Sequence, residues 1–217
     1  SDIDEVANQT YKENYGITPK GDIYEIKGSD IPEFDLLCGG FPCQAFSQVG
    51  QRKGLEDERG ILIFQIIRIL KEKQPKAFIL ENVKGLLSIQ GGTIFQMIIE
   101  NLEEVGYKVY TKVLEAKDYG TPQLRKRLFF VGIRKDIHVD FQFPKPVPLK
   151  YTFSDVMGGE TERDYSFTIR IGGRRSGINN RFNWDAYLVD GKVRYITPEE
   201  CLMLHGFPKD FKLCGNQ

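Results

Sequence analysis

Two apolar runs of strand length, separated by a stretch with helical spacing, constrain the fold of this 217-residue chain more than any other feature. The runs are residues 34–37 and 77–80, and residues 61–73 lie between them. The second run is typical of a strand that is buried on both faces of a parallel sheet. A crossover helix between two parallel strands brings the loops that follow them to one edge of the sheet. The pattern predicts an α/β sheet with a ligand crevice at that edge.

The first run leads into a glycine-rich segment, residues 38–43, which ends in Cys43. Gly39 and Gly40 permit tight turns or the close approach of a ligand, and Pro42 fixes the backbone directly before the thiol. We expect a loop that presents Cys43 as a nucleophile. The alternative is a free cysteine that acts as a small core residue, which is the more common case for an arbitrary cysteine.

The second run ends in the carboxylate of Glu81, followed by Asn82. If the two runs are parallel strands, Glu81 and Cys43 converge at the same edge and offer a carboxyl group and a thiol to one substrate. The alternative is that Glu81 is a solvated helix cap, although Asn82 is equally capable of capping a helix.

A basic segment, residues 120–127, precedes a third apolar run at residues 128–133. Arg125 and Arg127 are two positions apart, so in an extended chain their side chains project to the same side. Guanidinium groups hold phosphates and base carbonyls through forked donors. Taken alone the segment is a weak signal, because most short basic runs are solvated surfaces.

These segments occur in an ordered series: GGFPCQAFS at residues 39–47, ENVKGLL at 81–87 and DYGTPQLRKRLFFVGI at 118–133. The series resembles the motifs of the cytosine-5 DNA methyltransferases, and the likeness covers residues 1–146 and 166–213. The resemblance implies a doubly wound, mostly parallel α/β sheet of the S-adenosylmethionine-dependent methyltransferase type, with a small and incomplete DNA-recognition lobe. It also implies methyl transfer to carbon 5 of a cytosine flipped out of double-stranded DNA.

The resemblance implies four catalytic residues. Cys43 would add to carbon 6 of the cytosine, which makes carbon 5 nucleophilic. Glu81 would hold the ring nitrogen and the exocyclic amine and donate a proton as the thiolate adds. Arg127 would contact the base carbonyl oxygen, with Arg125 beside it. The sequence does not identify the base that removes the carbon 5 proton.

The resemblance also assigns residues to S-adenosylmethionine and to DNA. Carboxylates are good acceptors for ribose hydroxyls, and apolar side chains pack on adenine. The expected cofactor residues are Asp2, Ile3, Asp22, Ile23, Pro42 and Leu62. The expected DNA contacts are Ser47, Arg59, Gln123, Arg174 and Arg175, of which Ser47 and Arg59 lie in a long polar loop after Cys43.

We expect three regions in the chain. Residues 1–146 form the catalytic and cofactor-binding domain, 147–196 a remnant of the target-recognition lobe, and 197–217 a helical region that returns to the catalytic domain. An Asp-Gly pair within residues 187–195 predicts a hairpin, and Thr197 to Glu200 predicts a capped helix. The family's first strand and its FxGxGG-type loop have no counterpart here, so we expect an incomplete cofactor pocket.

Composition limits the other classes of function. The 30 basic and 30 acidic residues balance, which argues against a broad non-specific nucleic-acid surface but permits a locally basic cleft. The four cysteines lack the CxxC spacing of a zinc site, so we expect no metal. No apolar stretch reaches the length of a membrane span, and we expect a cytoplasmic protein. A cognate restriction endonuclease is expected as a functional partner, without a physical complex.

Three alternatives stay open. The same chemistry on transfer RNA is less favoured, because the RNA-acting branch of the family typically carries threonine at the position of Ser47. An inactive methyltransferase-like module that binds DNA is the second, and it depends on the missing glycine loop. A thiol redox enzyme is the third, and it requires Cys38 to resolve a disulfide with Cys43.

Overall fold

The computed structural model describes residues 1–42, 62–170, 175 and 177–215. Contacts between Cα atoms divide the chain into two compact units. The first consists of Ser1–Asn8, Thr18–Val113 and Arg127–Phe143, and the second of Gln9–Ile17, Leu114–Lys126 and Pro144–Gln217. The functional assignment of residues 147–196 and 197–217 stays a prediction.

Among the described elements, an N-terminal helix precedes a βαβ series, and a hairpin followed by a short helix comes last. In chain order they are α1 (Glu5–Tyr15), β1 (Leu36–Gly40), α2 (Leu62–Lys73), β2 (Ala77–Val83), α3 (Thr93–Glu104), β3 (Tyr107–Glu115), β4 (Lys126–Arg134), α4 (Phe153–Met157), β5 (Ala186–Val189), β6 (Lys192–Tyr195) and α5 (Pro198–Leu204). Short 3-10 helices occupy Gly28–Asp30, Lys84–Gly92 and Ala116–Asp118.

The main sheet has the strand order β1-β2-β4-β3. β1 and β2 are parallel, with α2 between them in the chain, as the sequence predicts. β4 is antiparallel to β2, so the sheet is mixed. The predicted loop at residues 38–40 is instead the end of β1, because Gly39 and Gly40 pair with Leu80 and Glu81.

The core of the first unit lies between this sheet and the helices α2 and α3. On α2 the buried residues include Ile63, Ile66, Ile67 and Leu70, which lie on one face at helical spacing. They pack in one cluster with buried strand residues, among them Phe78, Leu80, Leu128 and Phe130. Burial of each such side chain contributes about 1.5–3 kcal/mol.

One face of β2 is covered, whereas the sequence predicts burial on both. Phe78, Leu80 and Asn82 are buried, but Ile79 is 37% exposed and Val83 is 38% exposed. Successive strand residues point to opposite faces of the sheet, and the helices pack with Phe78 and Leu80. The prediction of burial on both faces is therefore wrong for β2. The alternation of buried and exposed residues along β2 decides which of its side chains reach the site.

The second unit contains the predicted hairpin and the predicted helix cap. Asp190 and Gly191 both have positive φ (49° and 71°) between β5 and β6, which is the conformation of a two-residue hairpin turn. Thr197 and Glu200 form a capping box at the start of α5, with Pro198 in the first turn. The buried cluster of this unit includes Phe153, Tyr187 and Leu204.

We predict that Gly132→Ala destabilises the first unit. Gly132 pairs with Phe78, and a Cβ at Gly132 would lie 2.0 Å from the phenyl ring, inside van der Waals contact. The ring is fully buried, so overpacking should lower the free energy of unfolding by about 1–3 kcal/mol. Urea denaturation of the full-length protein measures the change. Gly85→Ala is the matched control, because its Cβ would meet only Val83, at 4.0 Å. Equal effects of the two substitutions would contradict the prediction.

Candidate active site

The end of β1 lies directly beside the carboxylate of Glu81. Gly40 pairs with Glu81 in the parallel register, and a Cβ built on Gly40 would be 3.6 Å from Glu81 Oε2. The backbone of β1 therefore approaches this carboxylate to within van der Waals contact of an added methyl group. Cys43 follows Gly40 by three residues in the sequence, but it lies outside the described residues.

Glu81 forms an ion pair with Arg127 of the neighbouring strand. Arg127 Nε donates to Glu81 Oε1 at 2.7 Å, and the two side chains are 17% and 37% exposed. Arg127 pairs with Val83, two positions after Glu81, so both side chains lie on the same face of the sheet. The guanidinium therefore holds the carboxylate in one orientation, and both groups remain accessible to a ligand.

Asn82 is a residue of this region that sequence reasoning reads only as a possible helix cap. It is 2% exposed, and its Nδ2 donates to the carbonyl oxygen of Phe41 at 2.8 Å. Its Oδ1 accepts from the N–H of Val83 at 2.8 Å. The alternative interpretation of Glu81 as a solvated helix cap is wrong, since Glu81 and Asn82 both lie inside β2. An asparagine that interrupts an apolar strand is the signal that could have identified Asn82.

A cavity of about 350 Å³ in the first unit brings together all six predicted cofactor residues. This volume lies within the range of small-molecule sites. Asp2 and Asp22 contribute carboxylates, and the apolar lining includes Ile66. The remaining predicted residues in the lining are Ile3, Ile23, Pro42 and Leu62.

Local backbone hydrogen bonds orient the two carboxylates of this cavity. Asp2 Oδ1 accepts from the N–H of Asp4 at 2.9 Å, and Asp22 Oδ1 accepts from the N–H of Tyr24 at 3.0 Å. Tyr24 also lines the cavity, with 43% of its surface exposed, and sequence reasoning does not assign it to the site. Each aspartate therefore lines the cavity with one carboxylate oxygen held by the backbone N–H of the residue two positions later in the chain.

The second unit contains three of the predicted site residues. Gln123 is fully buried, and its Nε2 donates to the carbonyl oxygen of Leu204 at 3.1 Å, which favours a structural role over the predicted DNA contact. Arg125 donates its backbone N–H to the carbonyl oxygen of Gln123 at 2.9 Å, and its predicted catalytic role stays a prediction. Arg175 is exposed, and its backbone N–H donates to Asp185 Oδ2 at 2.8 Å.

Several other predicted residues lie outside the described part of the chain. These are Cys43, Ser47, Arg59 and Arg174. Within the described residues, no group of three or more His, Cys, Asp and Glu side chains is placed to hold a metal ion. No described helix is long and apolar enough to cross a membrane.

The sequence matches the family model for the C-5 cytosine-specific DNA methylases over residues 1–174. Among curated proteins, it is 50% identical over 241 residues to the Type II methyltransferase M.BsuFI of Bacillus subtilis, covering 98% of this chain and 59% of the relative. It is 40% identical over 245 residues to the Type II methyltransferase M1.ScrFI of Lactococcus lactis subsp. cremoris, covering 97% of this chain and 63% of the relative. The chain thus spans about three fifths of the length of both relatives.

The fold is similar to that of a DNMT2 variant from Spodoptera frugiperda. The TM-score is 0.72 at 20% sequence identity, and the match covers 99% of this chain and 82% of that one. An identity this low bears on the fold alone. The α/β methyltransferase fold predicted from the sequence is confirmed.

We predict a measurable coupling between Glu81 and Arg127. A double-mutant cycle with Glu81→Gln and Arg127→Gln should give a coupling of about 1 kcal/mol in urea denaturation, because both groups are partly buried. The matched control is the pair of Lys76 and Asp35, 3.0 Å apart with side chains 63% and 77% exposed. Solvent screening should reduce its coupling to about 0.3 kcal/mol or less. A coupling at Glu81 and Arg127 no larger than the control would refute the prediction.

Proposed function

Because the chain belongs to the C-5 cytosine-specific DNA methylase family, we propose that the protein transfers a methyl group from S-adenosylmethionine to carbon 5 of a cytosine in double-stranded DNA. The observation that carries this proposal is the juxtaposition of Gly40, Glu81 and Arg127 at the end of β1. The motif cysteine follows β1 by three residues, so a thiol, a carboxylate and a guanidinium would address one ring.

The proposed reaction begins with Cys43. Carbon 5 of cytosine is a poor nucleophile, so the thiolate adds to carbon 6 and the electron pair of the ring double bond moves toward carbon 5. Carbon 5 then accepts the methyl group. Loss of the carbon 5 proton restores the double bond and expels the thiolate. The target base must leave the stack, because carbon 6 of a stacked cytosine is inaccessible to a side chain.

Glu81 and Arg127 would hold the ring and respond to the charge that develops on it. One oxygen of Glu81 would accept from the exocyclic amine, and the other would deliver the carboxyl proton to ring nitrogen 3 as the thiolate adds, which would neutralise the negative charge that develops on the ring. The guanidinium donates to the carbonyl oxygen of the base. Their ion pair, at 2.7 Å, supports this division, because it holds both groups on one face before a base enters.

The residues of the 350 Å³ cavity fit the nucleoside part of S-adenosylmethionine. When bound, this group supplies an electrophilic methyl group. Asp2 would accept from the ribose hydroxyls, and Asp22 would meet the polar edge of the adenine together with Ile23. Ile3 would pack on the adenine ring, and Pro42 and Leu62 would complete the apolar wall.

We also propose that the protein binds DNA and acts in a restriction-modification system. Two relatives of this chain are named Type II methyltransferases, which supports a protective function against a cognate endonuclease. Ser47, Arg59, Arg174 and Arg175 are the proposed DNA contacts. The bacterial origin of both relatives supports a cytoplasmic location. Basic side chains neutralise phosphates, so binding should weaken as salt increases.

The test compares the full-length protein with its Cys43→Ser variant on unmethylated genomic DNA and S-adenosylmethionine, followed by sequencing of 5-methylcytosine. We expect only the wild type to mark a recurring short site, because serine is a much weaker nucleophile than a thiolate at neutral pH. Marks on transfer RNA alone would reject DNA as the substrate. No marks on either nucleic acid would favour an inactive binding module.

We also predict that Asp22→Asn weakens the binding of S-adenosylmethionine about tenfold, because a neutral amide is a weaker acceptor than a carboxylate. Isothermal titration calorimetry on the full-length protein measures the dissociation constant. Asp35→Asn is the matched control, since Asp35 lies in a separate cavity with Lys73, Lys76 and Arg134. The assignment of Asp22 fails if both variants bind with the affinity of the wild type.

A further inference from the structure

Asn82 is the most deeply buried polar side chain of the strand that carries Glu81. It is 2% exposed and lies next to Glu81 in β2, so the two side chains point to opposite faces of the sheet. A buried amide in an apolar strand is costly unless its donor and acceptor are both paired. The burial of Asn82 therefore depends on the hydrogen bonds that its amide makes.

Both ends of the Asn82 amide are paired with backbone groups. Nδ2 donates to the carbonyl oxygen of Phe41 across the β1–β2 boundary, and Oδ1 accepts from the N–H of Val83, each at 2.8 Å. The second bond fixes the amide plane. The first ties the chain directly after β1 to the interior of β2, beyond the last residue that pairs in the sheet, which is Gly40.

Two further restraints act on the same short segment. The ring of Phe41 is 6% exposed and packs against Phe130, with the ring centroids 6.3 Å apart. Pro42 has a fixed φ and follows at once. Phe41 is thus held by its ring on one side and by its carbonyl oxygen on the other, and Pro42 further restricts the backbone at the end of this described segment.

We propose that Asn82 is a positioning residue for the Cys43 nucleophile. Its bond to Phe41 fixes the chain two residues before the thiol relative to the strand that carries Glu81. The thiol and the carboxylate would have to meet one ring, so the bond to Phe41 would set where the chain toward Cys43 starts relative to Glu81. This inference rests on the proposed function and assigns Asn82 a role in the placement of the thiol, without contact with the substrate.

The test uses Asn82→Asp and Asn82→Leu in the full-length protein. Aspartate has nearly the same shape but cannot donate to the Phe41 carbonyl when ionised. Leucine fills a similar volume and carries no charge. If the buried charge of Asn82→Asp prevents folding, Asn82→Leu still tests the proposal. Asn101→Asp is the matched control, because Asn101 Nδ2 also donates to a backbone carbonyl, that of Met97, at 2.9 Å within α3.

Two quantities separate positioning from simple stability. The first is the steady-state rate of DNA methylation. We expect kcat of the folded Asn82 variants to fall about 100-fold, because a misplaced nucleophile slows the chemical step. We expect KM for DNA to stay within about threefold of the wild-type value. The second is the pH profile of alkylation of Cys43 by iodoacetamide, in a background in which the other cysteines are serine. We expect its rate to change by about tenfold or more in the Asn82 variants.

The Asn101→Asp control should retain both quantities of the wild type, with any loss limited to the unfolded fraction seen by circular dichroism. Wild-type kcat and alkylation rate in either folded Asn82 variant would overturn the proposal, as would losses that follow the unfolded fraction alone. If the wild type methylates no nucleic acid, the proposed function fails. The alkylation profile then still decides whether Asn82 positions the thiol.

Discussion

The parallel pairing of β1 with β2 is the constraint on which the rest of the site depends. It places Gly40 opposite Glu81 and leaves 3.6 Å between the carboxylate and the position of an added Cβ. The antiparallel pairing of β2 with β4 then brings Arg127 to the same face, 2.7 Å from Glu81. A shift of β2 by one residue would turn Glu81 into the core and Asn82 toward the ligand, so the hydrophobic pattern that fixes the register also fixes the chemistry.

The alternation of β2 gives two adjacent residues opposite tasks. Glu81 lies on the open face beside Ile79 and Val83, where its side chain is 37% exposed and paired with Arg127. Asn82 lies on the face that the helices cover, where a neutral amide with two backbone partners is tolerated. An ionised side chain at position 82 would incur a large desolvation penalty. The order of the two residues therefore follows from burial.

The cavity proposed for the cofactor depends on segments that are distant in the sequence. Asp2 and Asp22 come from two turns, Pro42 from the end of β1 and Leu62 from the first residue of α2. Each turn is locally determined, because an aspartate accepts from the N–H two residues ahead. These segments meet in one cavity because of the βαβ arrangement, in which several loops lie at the carboxyl edge of the sheet.

The sequence by itself determined the elements whose signals are local. Hydrophobic spacing predicted β1, α2 and β2 in order, and turn and cap residues predicted the hairpin at Asp190 and the helix start at Thr197. The motif resemblance singled out Glu81, Arg127 and the cavity residues, while the placement of Cys43 stays a prediction. Only the tertiary structure decided that β1 extends through Gly40, that one face of β2 is open, that Gln123 is buried, and that Asn82 is bonded to Phe41. These outcomes depend on pairing register and on which face the helices cover. Both are contacts between residues distant in the chain, and no local pattern records them.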